Sequence, residues 1–245
     1  MINKIVYEMK GNAEKKHGNY YSSLLHGAIS EMMDSQYADE MHQSGLHPYS
    51  QYAYVRDNRM FWEINALTQK AKEQIVDVIK ERGSVYVRHK EEMFELTEIR
   101  NTETSYEELI NNYYFGDNPR FIEIEFVTPT SFKKDNEYVI YPNLRLIFQS
   151  LMKKFDSCTE GTKISDEQFL EDIVKHTKIV NYRLKSTYFS MEKVKIQSFV
   201  GNITIRVNGP SQMVNTVWLL MAFGEFSGVG IKTGLGMGGY NIIRR

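Results

Sequence analysis

The chain has 245 residues, 42% hydrophobic and 25% charged, with a formal net charge of −1; these are the proportions of a soluble globular protein with room for one large domain or two small ones. No apolar run approaches the ~18 residues of a membrane span, and no signal-peptide core follows Met1-Ile-Asn-Lys, so a cytoplasmic protein without a membrane partner is expected. Cys158 is the single cysteine, which excludes an internal disulfide and a cysteine zinc cluster.

Residues 2–8 read as a first strand. Tyr21, Leu24, Leu25, Ala28, Ile29 and Met32 recur at helical spacing and predict a helix from Tyr20 to Met33. Asp34-Ser35 can cap a short second helix, Tyr37 to Gln43, closed by Gly45. Tyr52–Arg56 and Met60–Leu67 form an expected hairpin around Asp57-Asn58. Thr68 caps a helix to about Glu81, and two strands follow, Ser84–Val87 and Met93–Ile99.

The order β-α-β-β-α-β then repeats. Phe121–Val127 alternates as a half-buried strand does, Ser131–Tyr141 reads as a hairpin, and Asn143 caps a helix to Phe155. An acidic helix over 165–176 reads as an insertion. Two long strands, Ile179–Phe189 and Val194–Val207, precede an apolar helix, Ser211–Phe226, and a closing strand, Tyr240–Ile243. The expected fold is α+β, with two tandem ferredoxin-like units and a C-terminal glycine-rich loop. The divisions are residues 1–100, a connector over 101–118, and residues 119–245.

Seven of the 16 glycines lie between Gly224 and Gly239. A cluster this dense suggests a loop whose N–H groups face a ligand, and Lys232 and Thr233 at its centre suggest an anionic one. The loop is not a P-loop, because no glycine directly precedes Lys232. The triplet Gly234, Gly236 and Gly239 matches a dinucleotide fingerprint only in letters, since no helix can follow it.

Charge is unevenly distributed. From Lys178 onward, nine basic and two acidic residues give +7, leaving −8 for residues 1–177. A basic block on an acidic body points to a bound polyanion, the alternative being a solvated face. Lys133 and Lys134 at a hairpin tip and Arg183, Lys185, Lys193 and Lys195 on the basic strands can grip an RNA backbone. Tyr182, Tyr188 and Phe189 lie among them and offer stacking faces, although Tyr188 and Phe189 cannot both face RNA.

Several segments resemble the repeat-processing endoribonucleases of CRISPR systems, members of the repeat-associated RNA-binding (RAMP) superfamily, in the version that accompanies type III-A effectors. They are Leu24-Leu-His-Gly-Ala-Ile, Ala38-Asp-Glu-Met-His42, Pro48-Tyr-Ser, Thr128-Pro-Thr-Ser-Phe-Lys, Asn181-Tyr-Arg-Leu-Lys-Ser-Thr-Tyr-Phe and Phe223-Gly-Glu-Phe-Ser-Gly-Val-Gly-Ile-Lys-Thr-Gly-Leu-Gly-Met-Gly. The resemblance implies metal-independent cleavage of CRISPR precursor RNA within repeats, with no cofactor. The 2′-hydroxyl attacks, leaving 2′,3′-cyclic phosphate and 5′-hydroxyl ends. It places catalysis at His42 and RNA binding at the glycine loop through Gly228, Gly230, Lys232, Thr233, Gly234 and Gly236. Repeat RNA is the implied partner, with a transient association with a type III effector complex and a homodimer as further possibilities. Family members carry a tyrosine about where Ser30 stands and a lysine about where His47 stands.

The residues themselves suit this chemistry. Histidine can serve both proton steps of RNA cleavage, since its ordinary pKa is ~6.5. His42 near a helix C-terminus favours the imidazolium, as a general acid or charge stabiliser does. His47 is the candidate partner, as proton-transfer group or RNA contact, and Tyr49 the candidate for orienting the phosphate. His26, beside the apolar stripe, reads as structural, and His17 as part of a basic loop. No metal-ligand motif is evident, and Glu225 reads as a residue ordering the glycine loop. Two alternatives are a non-catalytic RNA-binding subunit of a CRISPR effector and a small-molecule enzyme on the same scaffold, such as an acyl-phosphate hydrolase.

Overall fold

Two antiparallel sheets, each backed by helices, organise the chain. The computed structural model describes residues 1–11, 18–159, 161, 163–191 and 194–244. The N-terminal unit runs β1 (Ile2–Lys10), α1 (Gly18–Met32), α2 (Ser35–Ser44), β2 (Tyr49–Arg56), β3 (Arg59–Ala66), a helix α3 over residues 69–82, β4 (Ser84–Val87) and β5 (Glu92–Thr104). Its strand order is β2-β3-β1-β5-β4: the ferredoxin-like arrangement with β4 added at one edge.

Local chemistry sets the boundaries. Asp34 accepts hydrogen bonds from the N–H groups of Gln36 and Tyr37 and starts α2, which stops at Gly45 with φ 66°. Asp57 and Asn58 take φ 50° and 57°, the left-handed pair of a tight two-residue hairpin. Thr68 caps α3 through the Ala71 N–H. The middle of α3, Lys72–Asp77, widens into a π turn, which the periodicity of the sequence does not announce. Leu25 and Ile29 of α1 pack with Trp62, Ile64, Ile75 and Ile79 to make this unit's core.

The C-terminal unit runs β6 (Phe121–Thr130), β7 (Phe132–Lys134), β8 (Glu137–Val139), a helix over Leu144–Cys158, another over Glu167–His176, β9 (Thr177–Met191), β10 (Val194–Val207), a helix over Ser211–Ser227, and β11 (Tyr240–Ile242). With the short connector helix over 106–114 as α4, these helices are α5, α6 and α7. The strand order β11-β6-β10-β9 is again ferredoxin-like, with β7–β8 as an inserted hairpin.

The connector is more ordered than its polarity suggests. β5 continues to Thr104, which pairs with Ile2. Ser105 and Glu108 form a capping box, and Leu109 enters a small apolar cluster with Ile2, Leu67, Phe155, Leu219 and Phe223 that joins the two units. Polar contacts tighten the junction. Lys4 Nζ lies 2.9 Å from Glu63 Oε1 and donates to the Glu225 carbonyl at 3.3 Å, and Ser50 Oγ donates to the Phe226 carbonyl at 2.5 Å.

Candidate active site

Two histidines, His26 and His47, meet where α1 reaches the start of β2. Tyr49 pairs with Ala66 across the sheet, and the Leu67 N–H donates to the Pro48 carbonyl at 2.9 Å, so the ladder holds the segment that carries His47. Pro48 keeps His47 out of helical backbone geometry. From α1, His26 extends over the same strand end, with Nδ1 2.7 Å from the Tyr49 hydroxyl. The two imidazoles meet edge to face at 5.6 Å between centroids, and His47 lies 5.5 Å from the Tyr49 ring. Tyr49 is fully buried, and burial pushes its phenol well above the ordinary range, so the hydroxyl keeps its proton.

This arrangement corrects one expectation and adds to another. Tyr49 has no surface with which to orient a phosphate directly; its hydroxyl bonds with His26. His26, expected to be structural, lies in contact with both Tyr49 and His47. The available signal was the spacing of Ser22, His26 and Ser30, a polar seam at i, i+4, i+8 beside the apolar stripe of α1. Along that seam Ser22 Oγ accepts from the Ala53 N–H at 2.9 Å, and Ser30 Oγ donates to the His26 carbonyl at 3.0 Å.

His42 sits in the last turn of α2, as expected, but its side chain lies outside the described residues. His17 and Lys193 also lie outside them.

The glycine segment closes the cluster from the C-terminal unit, packing as a short turn, Thr233–Leu235, on β2 and α1. At Gly234 a Cβ would lie 3.2 Å from His47 Cδ2, so a side chain there would press on the imidazole. Gln51, fully buried, donates from Nε2 to the Ser22 and Gly234 carbonyls at 2.8 and 2.9 Å and accepts from Trp62 Nε1 at 2.8 Å. One side chain thereby ties α1, β3 and the glycine turn together. Lys154 of α5 approaches from below and donates to the Ser227 carbonyl at 2.8 Å, the Tyr49 carbonyl at 3.5 Å and Thr233 Oγ1. Its burial lowers the ammonium to about 8.

The expectation that the loop's N–H groups face a ligand needs correction over much of its length. Gly230 N–H donates to Ser150 Oγ, Ile231 to the Ser131 carbonyl, Gly238 to the Pro129 carbonyl and Gly239 to Thr128 Oγ1. Gly228 donates to the Gly224 carbonyl and Gly236 to the Thr233 carbonyl. Gly228, Thr233, Gly234 and Gly236 are buried, and Lys232 is the exposed residue of the turn, held at φ 56°. This glycine cluster serves close packing, with Gly234, Gly236 and Gly239 against the N-terminal unit and the others within their own unit.

The remaining basic residues lie on the C-terminal unit. Lys133 and Lys134 are exposed beside a turn formed by Asp135 and Asn136. Arg183, Lys185 and Lys195 are exposed on β9 and β10, and β9 packs against α1, the helix that carries His26. Phe189 is buried with Ile196 and Met237 against the glycine segment, whereas Tyr188 is 60% and Tyr182 70% exposed. Strand alternation from Tyr182 onward therefore places the two tyrosines on one side of β9 and Arg183, Lys185 and Phe189 on the other. Among the described residues, no group of three or more His, Cys, Asp or Glu is arranged to hold a metal ion.

Comparisons with known proteins agree with this architecture. Residues 124–240 match the family model described as CRISPR-associated endoribonuclease Cas6. A protein of that name from Streptococcus thermophilus is 32% identical over 221 residues, covering 90% of each chain. A Cas6 product complex has the same fold at a TM-score of 0.80 and 18% identity, covering 99% of this chain and 100% of the other; that Cas6 is also solved under its organism, Thermus thermophilus. A structure described as a RAMP protein binding different RNA substrates matches at a TM-score of 0.66 and 14% identity, covering both chains in full.

Proposed function

The chain belongs to the Cas6 family of CRISPR-associated endoribonucleases, and from that premise we propose that it cuts CRISPR precursor RNA within repeats by attack of a ribose 2′-hydroxyl. In this reaction a base removes the 2′-hydroxyl proton and the oxygen bonds to the adjacent phosphorus. The bond from phosphorus to the 5′-oxygen breaks, and that oxygen takes a proton. The products end in 2′,3′-cyclic phosphate and 5′-hydroxyl. No step calls for a divalent ion.

The observation that carries the reading is the pairing of His26 with His47 over Tyr49, closed by the glycine turn of the second unit. The Tyr49 hydroxyl shares a hydrogen bond with His26 Nδ1 and so holds the imidazole in place. His47 supplies a second titratable group, and His42 at the end of α2 is the general acid or charge stabiliser, favoured as imidazolium by the helix dipole. Lys232, with Arg183 and Lys185 on the side of β9 where Phe189 meets the glycine segment, holds the backbone of the repeat.

The test is the pH dependence of single-turnover cleavage of a labelled repeat. With two titrating groups the profile is bell-shaped, and His47→Ala removes one limb. A His47→Ala protein with the wild-type rate and profile would remove His47 from the chemistry.

A further inference from the structure

The buried lysine beneath the histidine cluster has a role in setting the cluster's geometry. Lys154 is 5% exposed, and among the described residues no carboxylate pairs with it. An ammonium in such a place is costly unless each of its protons finds an acceptor. Here the three donors meet three acceptors on three different elements: the Ser227 carbonyl at the end of α7, Thr233 Oγ1 in the glycine turn, and the Tyr49 carbonyl at the start of β2. No other side chain radiates three donors from one atom.

Two of those acceptors belong to residues that bear on the imidazoles. Thr233 precedes Gly234, whose backbone lies against His47. Tyr49 holds His26 through its hydroxyl and follows the His47-Pro48 segment. We propose that Lys154 is a positioning residue, whose ammonium locks the glycine turn to the start of β2 and thereby sets the distance and angle between His26 and His47. This rests on the reading of those histidines given above. It also makes catalysis depend on the contact between the two units, since Lys154 and Thr233 come from one and the histidines from the other.

The experiment compares Lys154→Met, Thr233→Val and Thr233→Ser. Thr233→Val removes the acceptor at nearly constant volume, and Thr233→Ser keeps a hydroxyl in its place. Three quantities are read: the single-turnover rate at saturating repeat RNA, the RNA Kd, and the histidine ring signals by ¹H–¹⁵N NMR without RNA. Lys154→Met and Thr233→Val should each slow cleavage about tenfold or more with Kd within about threefold. They should shift the His26 and His47 ring signals, and their combination should be no slower than the slower single variant. Thr233→Ser should stay within about threefold of wild type. Folded Lys154→Met and Thr233→Val proteins with unmoved ring signals and near wild-type cleavage would overturn the proposal. If the wild-type protein does not cut repeat RNA, the cleavage reading fails on its own, and the ring signals alone decide the role of Lys154.

Discussion

At the scale of single residues, the division of labour among the histidines is the point most open to measurement. His42 occupies the last turn of α2, with its side chain outside the described residues. His42→Ala should reduce the single-turnover rate by a factor of order 10²–10⁴, the usual worth of a positioned proton-transfer group, while RNA affinity changes little. A variant that cleaves within about tenfold of wild type would remove His42 from catalysis. His26 shows a contact that its place in the sequence does not announce. A histidine beside an apolar stripe is ordinarily a core residue, and its partner Tyr49 comes from a strand 23 positions away. Lys154 was invisible for a related reason: its three acceptors lie on segments 73 to 105 residues distant. Local periodicity carries no record of such pairings.

At the scale of elements, much was legible. Asp34, Thr68 and Asn143 each cap the helix that follows, and the Asp57-Asn58 pair turns the hairpin as its chemistry demands. What the elements do not reveal alone is what they pack against. The density of glycine from Gly224 to Gly239 correctly signals close approach, yet what approaches is protein: Gly234, Gly236 and Gly239 meet the N-terminal unit, and Gly224, Gly228, Gly230 and Gly238 meet the C-terminal unit itself. Gly236 makes this testable. It takes φ 111°, and an added Cβ would lie 2.2 Å from Ser22 Cβ on α1. Gly236→Ala should therefore lower the unfolding free energy by about 2–4 kcal/mol, combining backbone strain with overpacking. Gly27, exposed in the middle of α1 with open space where a Cβ would go, provides the opposite case. Gly27→Ala should stabilise by about 0.5–1 kcal/mol. Chemical denaturation measures both, and equal effects at the two positions would contradict the packing role of the glycine segment.

At the scale of the whole molecule, two ferredoxin-like units divide the work of one site. The N-terminal unit holds the histidines. The C-terminal unit supplies the glycine turn, the buried lysine and a surface rich in arginine, lysine and exposed tyrosine. The +7 charge from Lys178 onward maps to that unit, and the described basic residues of that stretch are exposed, with Arg244 paired to Glu225. A repeat RNA lying along β9 and reaching α1 would pass from the basic strands to the histidine cluster. Cutting it there by its own 2′-hydroxyl is the central claim, and one substrate tests it. A repeat carrying a single 2′-deoxy nucleotide immediately 5′ of the scissile phosphate lacks the attacking oxygen. Binding should survive, because one lost hydroxyl removes a hydrogen bond worth ~0.5–1.5 kcal/mol. Cleavage should vanish, while the unmodified repeat is still cut in excess EDTA. Cleavage of the deoxy repeat, or its arrest by EDTA in the unmodified one, would mean that a metal-activated water does the cutting and would contradict the account.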